Sequence, residues 1–172
     1  MNIDRSKIKI RIADQNDWGK IIDIYNQAVL EGDKTADLDT VTLSTRSEWL
    51  KLHSSGKYKI LLAEIGKQTI GWCSISPHRP GRRALEKTAE ISYYIDQEYR
   101  GNGAGSLLIK SAIDSSKENG IKNLFAILLD VNKPSVSILE KFGFKKWGHL
   151  PNIAEINGNL CGQFIYGKHL LD

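Results

Sequence analysis

The part of this chain best suited to chemistry is Arg100-Gly101-Asn102-Gly103-Ala104-Gly105-Ser106. It follows an alternating apolar run over residues 88–95 and opens a segment with Leu107, Leu108, Ile109, Ala112 and Ile113 at helical spacing. A strand that breaks into glycines and becomes a helix leaves backbone N–H groups unpaired at the helix start, where the peptide dipoles add partial positive charge. Such a place suits phosphate. Glycine takes positive φ readily and lets the backbone approach a ligand with no Cβ between them, and Arg100 adds a permanent cation. Two nucleotide loops are excluded by spacing. Gly-x-Gly-x-x-Gly needs a third glycine where Ser106 stands, and a P-loop needs a lysine after its last glycine, where Ser106 again stands. A pyrophosphate cradle over residues 101–106 and a plain structural turn are the readings left.

Glu90 is the second candidate. A strand interior hosts a glutamate when it faces solvent, a partner charge or a pocket, and in a pocket it can serve as a base. Cys73 and His78 are a weaker pair for nucleophilic catalysis, five residues apart with no third group to orient them. His53, His78, His149 and His169 show no metal-ligand spacing, so no metal is expected.

These residues need a scaffold. Residues 7–13 alternate as a half-buried strand, and Asp14 or Asn16 can cap the helix after it. In that helix Trp18, Ile21, Ile22, Tyr25, Ala28 and Val29 form a stripe assigned to core, and Gly32 stops it. A polar stretch then leads to a short second helix opened by the capping box Thr45-x-x-Glu48, a candidate lid. Runs over 58–65, 69–76 and 88–95 make a three-strand meander, with a basic loop carrying His78, Arg79, Arg82 and Arg83 before the third. After the glycine turn come a helix to about residue 117, a buried strand over 123–130 and a short helix begun by Pro134. Two last strands, 144–149 and 163–169, are separated by a loop rich in Pro, Asn and Gly. The order β-α-α-β-β-β-α-β-α-β-β indicates an α/β (α+β) layer fold around one mixed central sheet.

Bulk properties set limits. The 172 residues, 41% hydrophobic and 26% charged, suit one domain over 1–172 with residues 1–6 frayed. A net charge of +4 is too small to argue for nucleic acid, though it favours a polyanionic ligand. Cys73 and Cys161 suggest neither a disulfide framework nor zinc. The N-terminal residues lack a signal-peptide core, and no apolar run reaches the ~20 residues of a membrane span, so a cytoplasmic protein is expected.

Arg100, Gly103 and Gly105 spell Arg-x-x-Gly-x-Gly, which resembles the acetyl-CoA motif of the GNAT superfamily of N-acetyltransferases. The chain looks most like the phosphinothricin acetyltransferases. It matches them at Thr35-Ala36-Asp37, at Glu48-Trp49, at the run from Lys87 to Ile95, at Asn132-Lys133-Pro134-Ser135 and at Glu140-Lys141-Phe142-Gly143-Phe144. The resemblance implies a GNAT-type fold, acetyl-CoA as co-substrate and a small-molecule amine as acceptor. It implies Glu90 as general base, Tyr93, Tyr94 and Ile95 along the pantetheine arm, and Arg100, Gly101, Asn102, Gly103, Ala104, Gly105 and Ser106 at the pyrophosphate. It further implies Asn132 near the thiol end, Thr35 and Arg82 on the acceptor, and a homodimer. One position departs from the superfamily: where many relatives carry a tyrosine as general acid, this chain has Leu139. Two other functions compete, a protein or peptide N-acetyltransferase and a coenzyme-A-binding sensor without turnover.

Overall fold

The computed structural model describes residues 4–54 and 56–170. The elements are β1 (Ile8–Ile12), α1 (Trp18–Glu31), α2 (Ser47–Leu52), β2 (Ile60–Ile65), β3 (Gln68–Pro77), β4 (Thr88–Ile95), α3 (Ala104–Glu118), β5 (Asn123–Leu129), α4 (Lys133–Lys141), β6 (Lys145–Ile156) and β7 (Asn159–His169). Their order is the one expected. They form a single seven-stranded sheet, β1-β2-β3-β4-β5-β7-β6, antiparallel except between β4 and β5. Parallel neighbours need a crossover, and α3 supplies it.

Strand alternation sorts the core onto the two faces of the sheet. Leu61, Ala63, Ala89 and Ile91 pack with Leu108, Ile109 and Ala112 of α3 and Leu139 of α4. Ile60, Leu62 and Trp72 pack on the other side with Ile21 and Ile24 of α1 and Leu50 of α2. Full burial of each leucine or isoleucine side chain among them contributes about 1.5–3 kcal/mol. The result is a sheet with helices on both faces.

One feature of the sheet creates the site. β4 and β5 pair only at Thr88↔Asn123, Ala89↔Leu124 and Glu90↔Phe125. β5 then continues with β7 as far as Leu129↔Gln163. Residues 91–95 therefore leave β5, and a wedge opens between the two strands with Glu90 at its apex.

Three expectations change. Thr45 does not cap α2: the helix begins at Ser47 with Arg46 at its N-cap, and the Thr45 hydroxyl accepts from the Thr42 N–H at 2.9 Å. The hydroxyl is satisfied inside the preceding turn. The segment expected as a loop between two short strands is a long β-hairpin instead, closed at Asn157 (φ 51°) and Gly158 (φ 77°). Two consecutive residues at positive φ make the tight turn whose twist matches paired strands. Pro151 is tolerated because β6 is an edge strand and its register shifts between Leu150 and Ala154. Finally, of the segment expected to fray, residues 1–3 lie outside the described residues, whereas Arg5–Lys7 form a 3-10 turn capped by Asp4.

Candidate active site

The glycine turn has the form its sequence suggests. Gly101 and Gly103 adopt φ of 78° and 88°, and Gly103 is the N-cap of α3 with no side chain capping the first turn. The first N–H groups of α3 are thus left for a ligand. Gly105 is needed for a different reason: a Cβ there would stand 3.1 Å from Ile138 Cδ1, so its absence lets α3 approach α4.

A cavity of about 570 Å³ runs from this turn into the wedge. Tyr93, Tyr94, Ile95, Arg100, Gly101, Gly103, Ala104, Gly105, Ser106 and Asn132 all line it. Asn102 does not: its amide turns back to the carbonyls of Tyr99 and Arg100, at 3.2 Å each. The opposite wall is Ala126, Ile127 and Leu128 of β5. A long ligand carrying a pyrophosphate at one end and a thin arm at the other fits this shape, with its arm against the β5-facing edge of residues 91–95, whose other edge pairs with β3.

The Arg100 guanidinium is already engaged. It donates to Glu31 Oε2 at 2.7 Å and to the Ile95 carbonyl at 3.2 Å. Asn132 is buried and caps α4, accepting from the Ser135 N–H at 3.3 Å. It lines the cavity and starts the helix at once. Leu139 is fully buried and forms cavity wall.

Glu90 is half-buried and has no hydrogen-bond or ion-pair partner among the described residues. Burial raises its pKa above the ordinary carboxyl value. Along β4, Ala89 and Ile91 belong to the α3 side of the core, so alternation directs Glu90, Ser92 and Tyr94 to the α1 and α2 side. On that side lies a second, smaller cavity of about 120 Å³, lined by Ile21, Ile22, Tyr25, Arg46, Trp49, Trp72, Ser92 and Tyr94. Tyr25, assigned to core from its helical spacing, is half-buried and forms part of this lining. Ser92 and Tyr94 line both cavities, so a donor in one and an acceptor in the other would meet across β4.

The rim of the smaller cavity is braced by polar contacts. Tyr25 donates to Asp37 at 2.6 Å and lies 2.9 Å from Thr35 Oγ1, while Arg46 pairs with Asp37 and stands 5.4 Å from the centre of the Tyr25 ring. Asn26 holds the loop with two hydrogen bonds to the Val41 backbone, at 2.8 and 2.9 Å. Thr35 thus sits in the bracing network and not in a cavity wall. Arg82 lies on the exposed loop after β3 and lines neither cavity.

Cys73 is fully buried, and burial pushes its thiol up to about 12, which disfavours the thiolate that a nucleophile needs. His78 packs edge-on against Phe125 with ring centres 4.9 Å apart. Among the described residues no group of three His, Cys, Asp or Glu side chains is placed to hold a metal ion, and no helix is long and apolar enough to cross a membrane.

Sequence reasoning missed Arg5, Lys34, Ile138 and Lys141 in the larger cavity and Arg46 in the smaller. A lone cation far from the motif has no local signature. Arg46 stood inside the expected capping box Thr45-x-x-Glu48 and was legible only as a helix-start residue.

Comparison with known proteins places this geometry. The sequence model of the acetyltransferase (GNAT) family matches residues 18–144. A Bacillus subtilis protein provisionally named phosphinothricin acetyltransferase is 35% identical over 161 residues, 94% of this chain and 98% of its own length. The L-methionine sulfoximine/L-methionine sulfone acetyltransferase of Pseudomonas aeruginosa is 29% identical over 149 residues, 85% of each chain. A Salmonella typhimurium protein provisionally named an acetyltransferase, solved with its cofactor acetyl-CoA, superposes with a TM-score of 0.89 at 25% identity. That likeness covers 96% of this chain and 95% of the other.

Proposed function

The chain belongs to the acetyltransferase (GNAT) family and is an N-acetyltransferase that uses acetyl-CoA, and from that premise we propose that it acetylates a small amino-acid-like amine by direct attack, with Glu90 as general base. The acceptor is of the phosphinothricin or methionine sulfoximine kind named for its relatives. The observation that carries this reading is the unpartnered, half-buried Glu90 carboxyl at the apex of the wedge, on the face of β4 that looks toward the smaller cavity.

Acetyl-CoA supplies the acetyl group as a thioester. The chain's own residues have three tasks. The first is to hold the coenzyme, through the α3 N-terminus and the backbone of residues 93–95. The second is to deprotonate the amine, which arrives as ammonium with a pKa of ~8 to ~10. Glu90, raised by burial, accepts that proton directly or through one water. The third is to tolerate the departing sulfur. A thiol pKa of ~8.5 puts a free thiolate only ~2 kcal/mol uphill at neutral pH, so Leu139 is no obstacle. The Tyr94 hydroxyl, pushed up to about 12 mainly by burial, stays protonated, and Tyr94 as a residue lines both cavities. In this reading water or Tyr94 hands a proton to the sulfur.

Thr35 and Arg82 belong to the acceptor end in this reading, Arg82 through bidentate hydrogen bonds to a carboxylate. The chain works as a homodimer: Trp147, Leu150, Ile153 and Leu160 of the C-terminal hairpin leave apolar surface for a second copy. Sedimentation in solution tests that element. Its setting is the cytoplasm, where Cys73 and Cys161 stay free thiols.

A thiol-release assay with acetyl-CoA decides the acceptor class. The panel is amino acids, methionine sulfoximine, methionine sulfone, phosphinothricin, polyamines and short peptides. Turnover with an amino-acid-like amine is expected. Turnover confined to peptides would replace this reading with that of a protein N-acetyltransferase.

A further inference from the structure

We propose that Arg5, which lies outside the segment matched by the family model, supplies the side-chain cation that meets the coenzyme's pyrophosphate. The argument begins with what Arg100 cannot offer. Its charge is shared with the Glu31 carboxylate through two hydrogen bonds, and its Nε–H is spent on the Ile95 carbonyl. Freeing it would break a charged pair. Arg5 is placed differently. It lines the same cavity, is exposed, and its guanidinium has no hydrogen bond or ion pair among the described residues.

Its position is not accidental packing of a chain end. Asp4 caps the turn Arg5–Lys7 by accepting from the Ser6 N–H at 2.9 Å, and the Ile8 N–H closes it onto the Arg5 carbonyl at the start of β1. The backbone of Arg5 is thereby fixed to the sheet. Its side chain then crosses Gly103: a Cβ on Gly103 would stand 3.0 Å from Arg5 Cδ and 3.1 Å from Nε. Glycine at the N-cap of α3 therefore does two things. It permits a φ of 88°, and it leaves the gap through which an arginine stem reaches the mouth of the cradle. A guanidinium held beside the free N–H groups of a helix start adds a full charge and bidentate donors to partial charges alone. The proposal rests on the cradle being the coenzyme site.

Calorimetry with coenzyme A and protein without acceptor tests it, so that no turnover enters the result. Arg5→Ala is expected to weaken binding roughly tenfold or more, equivalent to about 1.4 kcal/mol. Arg5→Lys should recover part of the loss, and the melting temperature of the ligand-free protein should not change. The loss should persist with 3′-dephospho-coenzyme A, which keeps the pyrophosphate. An Arg5→Ala affinity within about twofold of wild type would overturn the proposal, as would a loss that vanishes with the dephospho compound. An equal loss in Arg5→Lys accompanied by a lower melting temperature would make Arg5 structural and overturn it too. Wild-type protein that binds no coenzyme A would overturn the reading of the cradle itself, and Arg5 with it.

Discussion

Ser76 faces Glu90 across the β3–β4 ladder, and its hydroxyl lies 2.9 Å from Nε2 of the buried His53. The other ring nitrogen, Nδ1, is 2.6 Å from the Trp49 carbonyl. A carbonyl only accepts, so Nδ1 carries the hydrogen and Nε2 of the neutral ring takes one from Ser76. Burial lowers the His53 pKa and keeps the ring neutral. Ser76 therefore spends its proton away from its strand neighbour. Glu90 receives no donor from that side, which accounts physically for a carboxyl raised by burial with nothing to offset it.

The first prediction follows for turnover. Glu90→Gln preserves shape and removes the base. Acetyl-CoA affinity should hold while kcat falls roughly 100-fold or more, within the range for a general base. Steady-state kinetics beside calorimetry measure both. A variant with full kcat at neutral pH would return Glu90 to a purely structural role.

The second concerns pH. A general base works ionised, so kcat/KM should rise with pH through the raised Glu90 pKa, placing the acid limb above the ~4.3 of an ordinary glutamate. The limb should be absent from the residual rate of Glu90→Gln. Stability has the opposite sign. A native pKa above the unfolded value means the folded state binds the proton more tightly, and stability is lost as pH rises through that window. Glu90→Gln should thus melt no lower than wild type at pH 7, a point differential scanning calorimetry checks.

How much of this was legible in sequence depends on the range of the contact involved. Gly101 and Gly103 announced a turn with positive φ because backbone conformation is a local property. The order of elements came from periodicity, also local. The C-terminal hairpin was hidden although Asn157-Gly158 is a strong turn signal. Pro151 and Asn152 interrupt the alternation of β6, and only the register shift after Leu150 reconciles them with a strand. Arg5 against Gly103, Tyr25 against Asp37 and Ser76 against Glu90 are made by tertiary packing, which leaves no period behind.

The third prediction concerns the cradle. Gly103→Asp puts a β-carbon at a φ of 88° and a carboxylate beside Arg5. The new charge can pair with that arginine as well as repel phosphate. Acetyl-CoA binding should weaken by roughly tenfold or more, about 1.4 kcal/mol. Gly103→Ala carries the same backbone strain without charge and should lose less. Equal affinity in folded Gly103→Asp and wild type would remove the phosphate role.

The fourth is a stability prediction on the hairpin. The Trp147 ring lies flat on Gly167, and a Cβ there would fall 2.1 Å from ring carbons. Gly167→Ala must push the ring aside. A loss of about 1–3 kcal/mol is expected, the usual range for overpacking. Because Trp147 is half exposed, Trp147→Ala in the same chain should abolish most of the added penalty. Urea unfolding of the two single variants and the double variant measures the coupling. Additive losses would show that the ring does not press on Gly167.

The last prediction concerns the acceptor, which we expect to be a relative of phosphinothricin and not phosphinothricin itself. Where members of the resembled family commonly carry a tyrosine after the arginine of the basic loop, this chain has Leu85, half-buried in a 3-10 turn. After Gly158 they tend toward an aromatic residue and an aspartate, whereas this chain reads Leu160-Cys161. The second position is not remote from the site. The hairpin tip reaches the end of α1, where a Cβ on Gly32 would stand 3.4 Å from Asn157 Nδ2, and Gly32 opens the loop that carries Thr35 and Asp37. The smaller cavity is walled by Tyr25, Trp49, Trp72 and Tyr94, with Arg46 as its charged member. Such walls favour an uncharged sulfoximine or sulfone over an anionic phosphinate, because Arg46 is already paired with Asp37. A substrate group left without its hydrogen-bond partner costs about 1–3 kcal/mol, or roughly 5- to 150-fold in discrimination. Glu90 and the glycine cradle are retained, so chemistry should continue on the better-fitting amine. Competition kinetics should rank methionine sulfoximine or sulfone above phosphinothricin in kcat/KM. A value for phosphinothricin near the ~10⁸ M⁻¹s⁻¹ diffusional range, above every other amine tested, would show that Leu85 and Leu160 do not shape the acceptor pocket.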